Sequence, residues 1–134
     1  MKAGDALPAL ERTIQAADMV AYAGATWDWH RMHYDLVYLR DRGLHLPVVD
    51  GQMLGAFLAE QVQDSLGPAA RLRRLRFRLT AMVFAGETVR VTGVVTAVDG
   101  ERVTIEQWAA VADRVAATGV AEVALSSFPE ASDE

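Results

Sequence analysis

Asp50-Gly51-Gln52-Met53-Leu54-Gly55-Ala56-Phe57-Leu58-Ala59-Glu60-Gln61-Val62-Gln63-Asp64-Ser65-Leu66-Gly67-Pro68 decides how this chain folds. Met53, Leu54, Phe57, Leu58, Val62 and Leu66 recur at three- and four-residue steps, the period of a helix with one apolar face. Asp50 suits the N-cap, and Gly67-Pro68 stops the pattern. The spacing predicts a helix over Gly51 to Leu66, the longest in the chain. Beyond Pro68 the period drops to two, the period of strands. Leu75, Phe77, Leu79, Ala81 and Val83 alternate with Arg74, Arg76, Arg78, Thr80 and Met82. Ala85-Gly86-Glu87 turns the chain, and Val89, Val91, Gly93, Val95 and Ala97 form the next alternating set. Asp99-Gly100 then marks a hairpin, because this pair tolerates the positive φ angles of a type I′ turn. Val103 to Val111 and Val115 to Leu125 read as two further strands.

Upstream, Leu10 to Ile14 reads as a short strand. Ala16 to about Thr26 reads as a helix, with Met19, Val20, Ala23 and Gly24 at helical spacing. Val37 to Leu39 adds a helical turn before the loop at Gly43. A strand, helices and then an antiparallel meander define an α+β chain. A sheet curved around the long helix is the simplest way to bury both apolar faces.

At 134 residues the chain fits one domain, with Pro129 to Glu134 a short acidic tail. It is 51% hydrophobic, yet no apolar run reaches the ~18–20 residues of a membrane span. The absence of cysteine excludes disulfides, thiolate chemistry and cysteine-ligated zinc, and fits a cytoplasmic protein. A net charge of −5 argues against nucleic acid as the main partner.

The residues with chemical potential cluster in Thr26-Trp27-Asp28-Trp29-His30-Arg31-Met32-His33-Tyr34-Asp35 and at Gly51. Asp28 and His33 could act as a general acid/base pair on one water. Residues five apart do not align on a straight helix, so the pair needs a bend over Trp29 to Met32. Spacing alone fits equally well two polar residues in a surface loop. Gly51 opens a helix whose first N–H groups lack internal partners and could hold an oxyanion. A glycine that merely lets the loop turn tightly has the same sequence. Trp27, Trp29 and Tyr34 could line an apolar pocket or simply cover the core. His30 and His45 are weaker candidates, and no metal-ligand spacing links the three histidines. Arg71, Arg73, Arg74, Arg76 and Arg78 most simply decorate the solvent face of a strand; the alternative is a site for the phosphates of a nucleotide-bearing thioester.

In order and spacing these pieces resemble the MaoC-like hydratase/dehydratase family, whose best-known members are R-specific enoyl-CoA hydratases. The family motif is roughly S-G-D-x-N-P-x-H-x-D, and the segment Ala25 to Asp35 keeps its Asp, its His and the trailing Asp. Pro47-Val48-Val49-Asp50-Gly51-Gln52-Met53 fits a second segment, P-[IV]-[VA]-[HP]-G-x-[LM]. Leu75 to Leu79 and Phe84 to Val89 resemble a later strand and turn, so the likeness runs from about Thr13 to Leu125. The resemblance implies a hot-dog fold, a long central helix wrapped by a curved antiparallel sheet. It implies reversible hydration of a trans-2-enoyl thioester, with Asp28 and His33 as the catalytic dyad and the Gly51 N–H as oxyanion donor. Trp27, Trp29, Tyr34 and Gln52 would lie against the substrate. It implies no cofactor beyond the coenzyme A of the substrate and no metal. The assembly would be a homodimer, or a hetero-oligomer with a second hot-dog subunit. Trp27, His30 and Arg31 replace the family's Gly, Asn and Pro. The bulky tryptophans resemble variants that hydrate large acyl-CoAs, including steroid side chains. The alternatives are a hydroxyacyl-carrier-protein dehydratase subunit, a non-catalytic hot-dog partner, and a thioesterase on the same fold.

Overall fold

The computed structural model describes residues 1–126, so the expected acidic tail lies outside the described residues. Strand β1 (Ala6–Thr13) leads to helix α1 (Ala16–Thr26), a 3₁₀ turn (Arg31–His33) and helix α2 (Leu36–Arg40). Helix α3 (Gly51–Leu66) follows, then β2 (Ala70–Leu79), β3 (Thr88–Asp99), β4 (Arg102–Val111) and β5 (Arg114–Leu125). The expected bounds of α1 and α3 hold. Strand β1 starts earlier than expected because Pro8 is accommodated within the register shift between Leu7 and Leu10 of an edge strand.

The five strands form one antiparallel sheet in the order β1-β3-β4-β5-β2. The expected meander is therefore correct for β3-β4-β5 and wrong for β2, which lies at the edge against β5. Because β3 lies two strands away from β5, the chain leaving β2 must cross the sheet's end. The expected alternation accordingly stops at Leu79, and Ala81 and Val83 belong to the crossing segment. That segment is pinned at several points. The Thr80 N–H donates to the Ala116 carbonyl, and the Gly86 N–H to the Ile14 carbonyl. The Val49 N–H donates to the Val83 carbonyl at 2.8 Å, and the Ala85 N–H to the Pro47 carbonyl at 2.9 Å. The crossing is thereby tied to the segment that launches α3.

Helix α3 buries Met53, Leu54, Leu58 and Val62 on the sheet. Met53, Leu54 and Leu58 share a core with Ile14, Val89, Val91, Ala109 and Ala117. Val62 packs into a second cluster with Val95, Val103, Ile105, Ala121 and Val123. Small residues let the helix sit close: a Cβ on Gly55 would lie 2.5 Å from the Phe77 ring. The core also contains an amide pair that alternation alone does not reveal. Gln107 Nε2 donates to the Leu58 carbonyl at 2.9 Å and to Gln61 Oε1 at 2.8 Å, and Gln61 Nε2 donates to the Pro8 and Val91 carbonyls.

Candidate active site

Trp27 ends α1 by taking the left-handed conformation, φ 59°, and so turns the chain out of the helix. The 3₁₀ turn then supplies the bend that Asp28 and His33 require. His30 caps it, its Nδ1 accepting the Met32 N–H at 3.1 Å, while its own N–H donates to Asp28 Oδ1 at 3.3 Å. His30, in the position of the family's Asn, thus holds the turn together.

His33 is buried, with 7% of its surface exposed. Its Nδ1 lies 2.7 Å from the Val48 carbonyl oxygen. A carbonyl only accepts, so Nδ1 carries the proton of that contact, and Nε2 is the ring nitrogen turned to the site. Nε2 lies 3.7 Å from Asp28 Oδ2, which is the expected pair. It also lies 3.8 Å from Oδ2 of Asp50. The sequence predicts a helix cap at Asp50 and no place for it beside the imidazole. It does cap α3, its Oδ1 accepting the Gln52 N–H at 3.0 Å, but its Oδ2 is buried with no hydrogen-bond partner and faces the imidazole. The sequence signal that could have found it is the family's frequent His at this place, a polar residue where a cap alone would do.

The Asp28 and Asp50 carboxyls each place an oxygen within 4.8 Å of the other and of the imidazole. Burial, opposed by the Gln52 N–H and reinforced by Asp28, holds Asp50 above the usual carboxylate range. A proton held by Asp50 and offered to Asp28, and then the His30 N–H, hold Asp28 below it. Tyr22 on α1 belongs to the same surroundings: burial and then the Asp50 charge push its phenol up. Asp28, His33 and Asp50 set three ligand-type atoms within 4.8 Å of one another, a grouping that histidine spacing could not reveal.

Gly51 is the first residue of α3, directly after Asp50. The expected cluster of free N–H donors is smaller than the helix start suggested. The Gln52 N–H is taken by the Asp50 carboxylate and the Met53 N–H by the Asp50 carbonyl. The Gly51 N–H remains, since a first-turn donor has no intrahelical partner. Gln52 itself is exposed.

Trp27, Trp29 and Tyr34 form a chain of edge-on rings, with centroids 5.8 Å and 6.1 Å apart. The Tyr34 hydroxyl donates to the Trp29 carbonyl at 3.0 Å. All three are exposed, Trp27 at 79%, so they do not fill the core. The motif's trailing Asp35 stands apart: its carboxylate accepts the Val37 and Tyr38 N–H groups at the start of α2 and pairs with Arg31. His45 does not belong to the grouping of Asp28, His33 and Asp50 among the described residues. The arginines of β2 lie exposed along the sheet edge, as expected. An open cleft of about 640 Å³ runs between α1 and α3, lined by Ile14, Tyr22, Ala25, Met53 and Phe57, with Arg12 and Glu60 paired at its rim.

A chain of the ChsH1-ChsH2 complex from Mycobacterium tuberculosis is 25% identical, with TM-score 0.86; the match covers 92% of this chain and 98% of that one. The (R)-hydratase from A. caviae involved in PHA biosynthesis is 22% identical, with TM-score 0.88 over 94% of this chain and 98% of that one. A fluoroacetyl-CoA-specific thioesterase has the same fold at 14% identity, with TM-score 0.65 over 94% of this chain and 88% of that one. The architecture is the hot-dog fold. No curated protein sequence matches the chain. Residues 2–118 match the family model described as the MaoC like domain, and with nearly all of its sheet and both site segments inside that match, this chain belongs to the MaoC-like family.

Proposed function

We propose that this chain catalyses the reversible hydration of a trans-2-enoyl thioester, the CoA form by preference. The observation that carries the reading is Nε2 of buried His33 facing the Asp28 carboxylate at 3.7 Å, with the Gly51 N–H at the start of the next helix. Hydration adds the oxygen of water to Cβ and a proton to Cα, with enolate-like charge on the thioester oxygen in between. Ionised Asp28 takes a proton from the attacking water. His33 Nε2 orients that water and helps carry the proton to Cα. The Gly51 N–H donates to the thioester oxygen. In reverse, the same groups dehydrate a 3-hydroxyacyl thioester. The likeness to an (R)-hydratase supports this reading, although the fold also serves a thioesterase.

The exposed apolar rings of Trp27, Trp29 and Tyr34 beside the dyad favour a bulky or long acyl group, up to the size of a steroid side chain. The likeness to a chain of a two-component complex supports working as a homodimer or with a second hot-dog subunit. The test is one assay series on the purified protein, alone and with any partner subunit. Loss of the enoyl absorbance and release of free thiol are followed for crotonyl-CoA, long-chain and polycyclic enoyl-CoAs, and an enoyl-carrier protein. Hydration without thiol release is expected, fastest in kcat/KM on the bulky CoA substrates. Asp28→Asn and His33→Ala should each lower kcat by about 10²–10⁴-fold. Thiol release as the main reaction, or near wild-type turnover in either variant, would sink the hydratase reading. A preference for crotonyl-CoA would remove only the bulky-substrate part.

A further inference from the structure

We propose that Asp50 is a positioning residue of this site: it keeps a proton between the two carboxyls and, by donating it to Asp28, holds Asp28 as the ionised base. The inference rests on the hydratase reading for its catalytic consequence but not for its electrostatics.

The argument starts from placement. Two carboxyl groups and an imidazole converge on one spot, each offering an atom within 4.8 Å of the other two. Two carboxylates this close cannot both ionise cheaply, so one proton stays between them. The pair is asymmetric. Asp50 is 8% exposed and its Oδ2 has no other partner, whereas the Asp28 side chain is 39% exposed and already accepts the His30 N–H. Water and the His30 N–H favour charge on Asp28; burial favours the neutral acid at Asp50. An O–H on Asp50 Oδ2 also removes the one flaw in the packing here, a buried oxygen with nothing to bond. The remaining titratable groups that face Asp50 are His33 from the 3₁₀ turn and Tyr22 from α1, with His30 reaching it through Asp28. None of these is an anion at neutral pH that would compete with Asp28 for the proton.

Asp50 also caps α3, so the test must separate cap from proton. Asn and Ser both cap well. Asn in addition keeps a neutral donor of the right length, whereas Ser is too short to reach Asp28. The readout is the acid limb of kcat/KM against pH, its position rather than its height. Asp50→Asn should keep the wild-type limb. Asp50→Ser should move it up by about one pH unit, because Asp28 loses a hydrogen bond to its charged form. If the limb moves down in Asp50→Asn, Asp50 is itself the anion and the proposal is wrong. If Asp50→Ser keeps the wild-type limb, the cap is the whole role and the proposal is equally wrong. Carbon-13 titration of the aspartate carboxyls answers the same question without any turnover. Asp50 should titrate above the ordinary aspartate range, and lower in Asp28→Asn, where the new amide can donate to it. An Asp50 midpoint unmoved by Asp28→Asn would overturn the sharing. Should the wild type hydrate no enoyl thioester, the hydratase reading fails while these carboxyl titrations still decide the inference.

Discussion

The Gly51 N–H can be removed by proline, which has no N–H and suits the first position of a helix. Asp50, with φ −59° and ψ 125°, already has the extended conformation that the residue before a proline requires. The obstacle is steric: any Cβ at position 51 would run into Leu79, a half-exposed side chain at the end of β2. Pairing the substitution with Leu79→Ala clears the space. We expect Gly51→Pro/Leu79→Ala to lose about 10²–10³-fold in kcat relative to Gly51→Ala/Leu79→Ala, which keeps the donor. Equal kcat in the two double variants would show that Gly51 is there only for the close approach. Asp35 calls for the opposite expectation. The Tyr38 N–H and Arg31 hold its carboxyl below the usual range. A group depressed in the folded state stabilises above its unfolded pKa and loses that stabilisation as pH falls. Asp35→Ala should therefore lower Tm at neutral pH, with the difference shrinking as pH falls through and below the ordinary aspartate range, and should leave kcat far less affected than Asp28→Asn. Thermal melts across pH check this.

Helix α3 and strand β4 meet through the Gln61–Gln107 pair, which lies where alternation promises only apolar contact. Gln107 pairs across the sheet with Gly93 on β3 and Gly119 on β5; Gly93 leaves room for the amide pair, and Gly119 for Leu58. Replacing Gln107 by Leu strands the Gln61 Oε1 and should cost about 1–3 kcal/mol of stability, measured by urea unfolding. Replacing both residues by Leu should recover part of that loss, since orphaning one partner costs more than removing both. A double variant less stable than the sum of the singles would show that the amides serve some other contact. The aromatic ring of Tyr38 helps fix α2 in turn, with the Arg42 guanidinium 3.4 Å over its centroid.

The whole molecule presents an edge strand, β2, whose outer backbone is unpaired, beside a band of exposed apolar side chains. Phe77 is 41% exposed, Leu79 50% and Met82 50%. Edges of this kind are normally covered or blunted. The arginines of β2 blunt it in part, and the apolar band fits a subunit contact. We expect light scattering at micromolar concentration to report a dimer, or a heteromer when a second hot-dog subunit is added. Leu79→Glu/Met82→Glu should shift it toward the monomer and lower activity without unfolding the chain. A wild-type monomer with full hydratase activity would contradict this expectation.

What was legible in the sequence is whatever depends on neighbours along the chain. The bounds of α1 and α3 follow from apolar period, cap and stop, and the β3-β4-β5 meander follows from alternation and the Asp99-Gly100 signal. The turn itself is Gly100-Glu101, because Asp99 still pairs with Arg102 and only Gly100 takes a positive φ. The Asp28–His33 pairing was visible only as spacing, and the 3₁₀ turn that makes it real depends on His30 and on the left-handed Trp27. Three features needed the tertiary structure. The place of β2 beside β5 is a choice among edges to which local alternation is indifferent. The buried amide pair reads as a lapse in two separate patterns until the helix is laid on the sheet. Asp50 satisfies a helix cap with one oxygen, and nothing along the chain says where the other points. Only the tie of Val48 to His33 and of Val49 to Val83 brings that second oxygen to the imidazole, because a carboxyl's ionisation is set by the groups around it in space and not by those beside it in sequence.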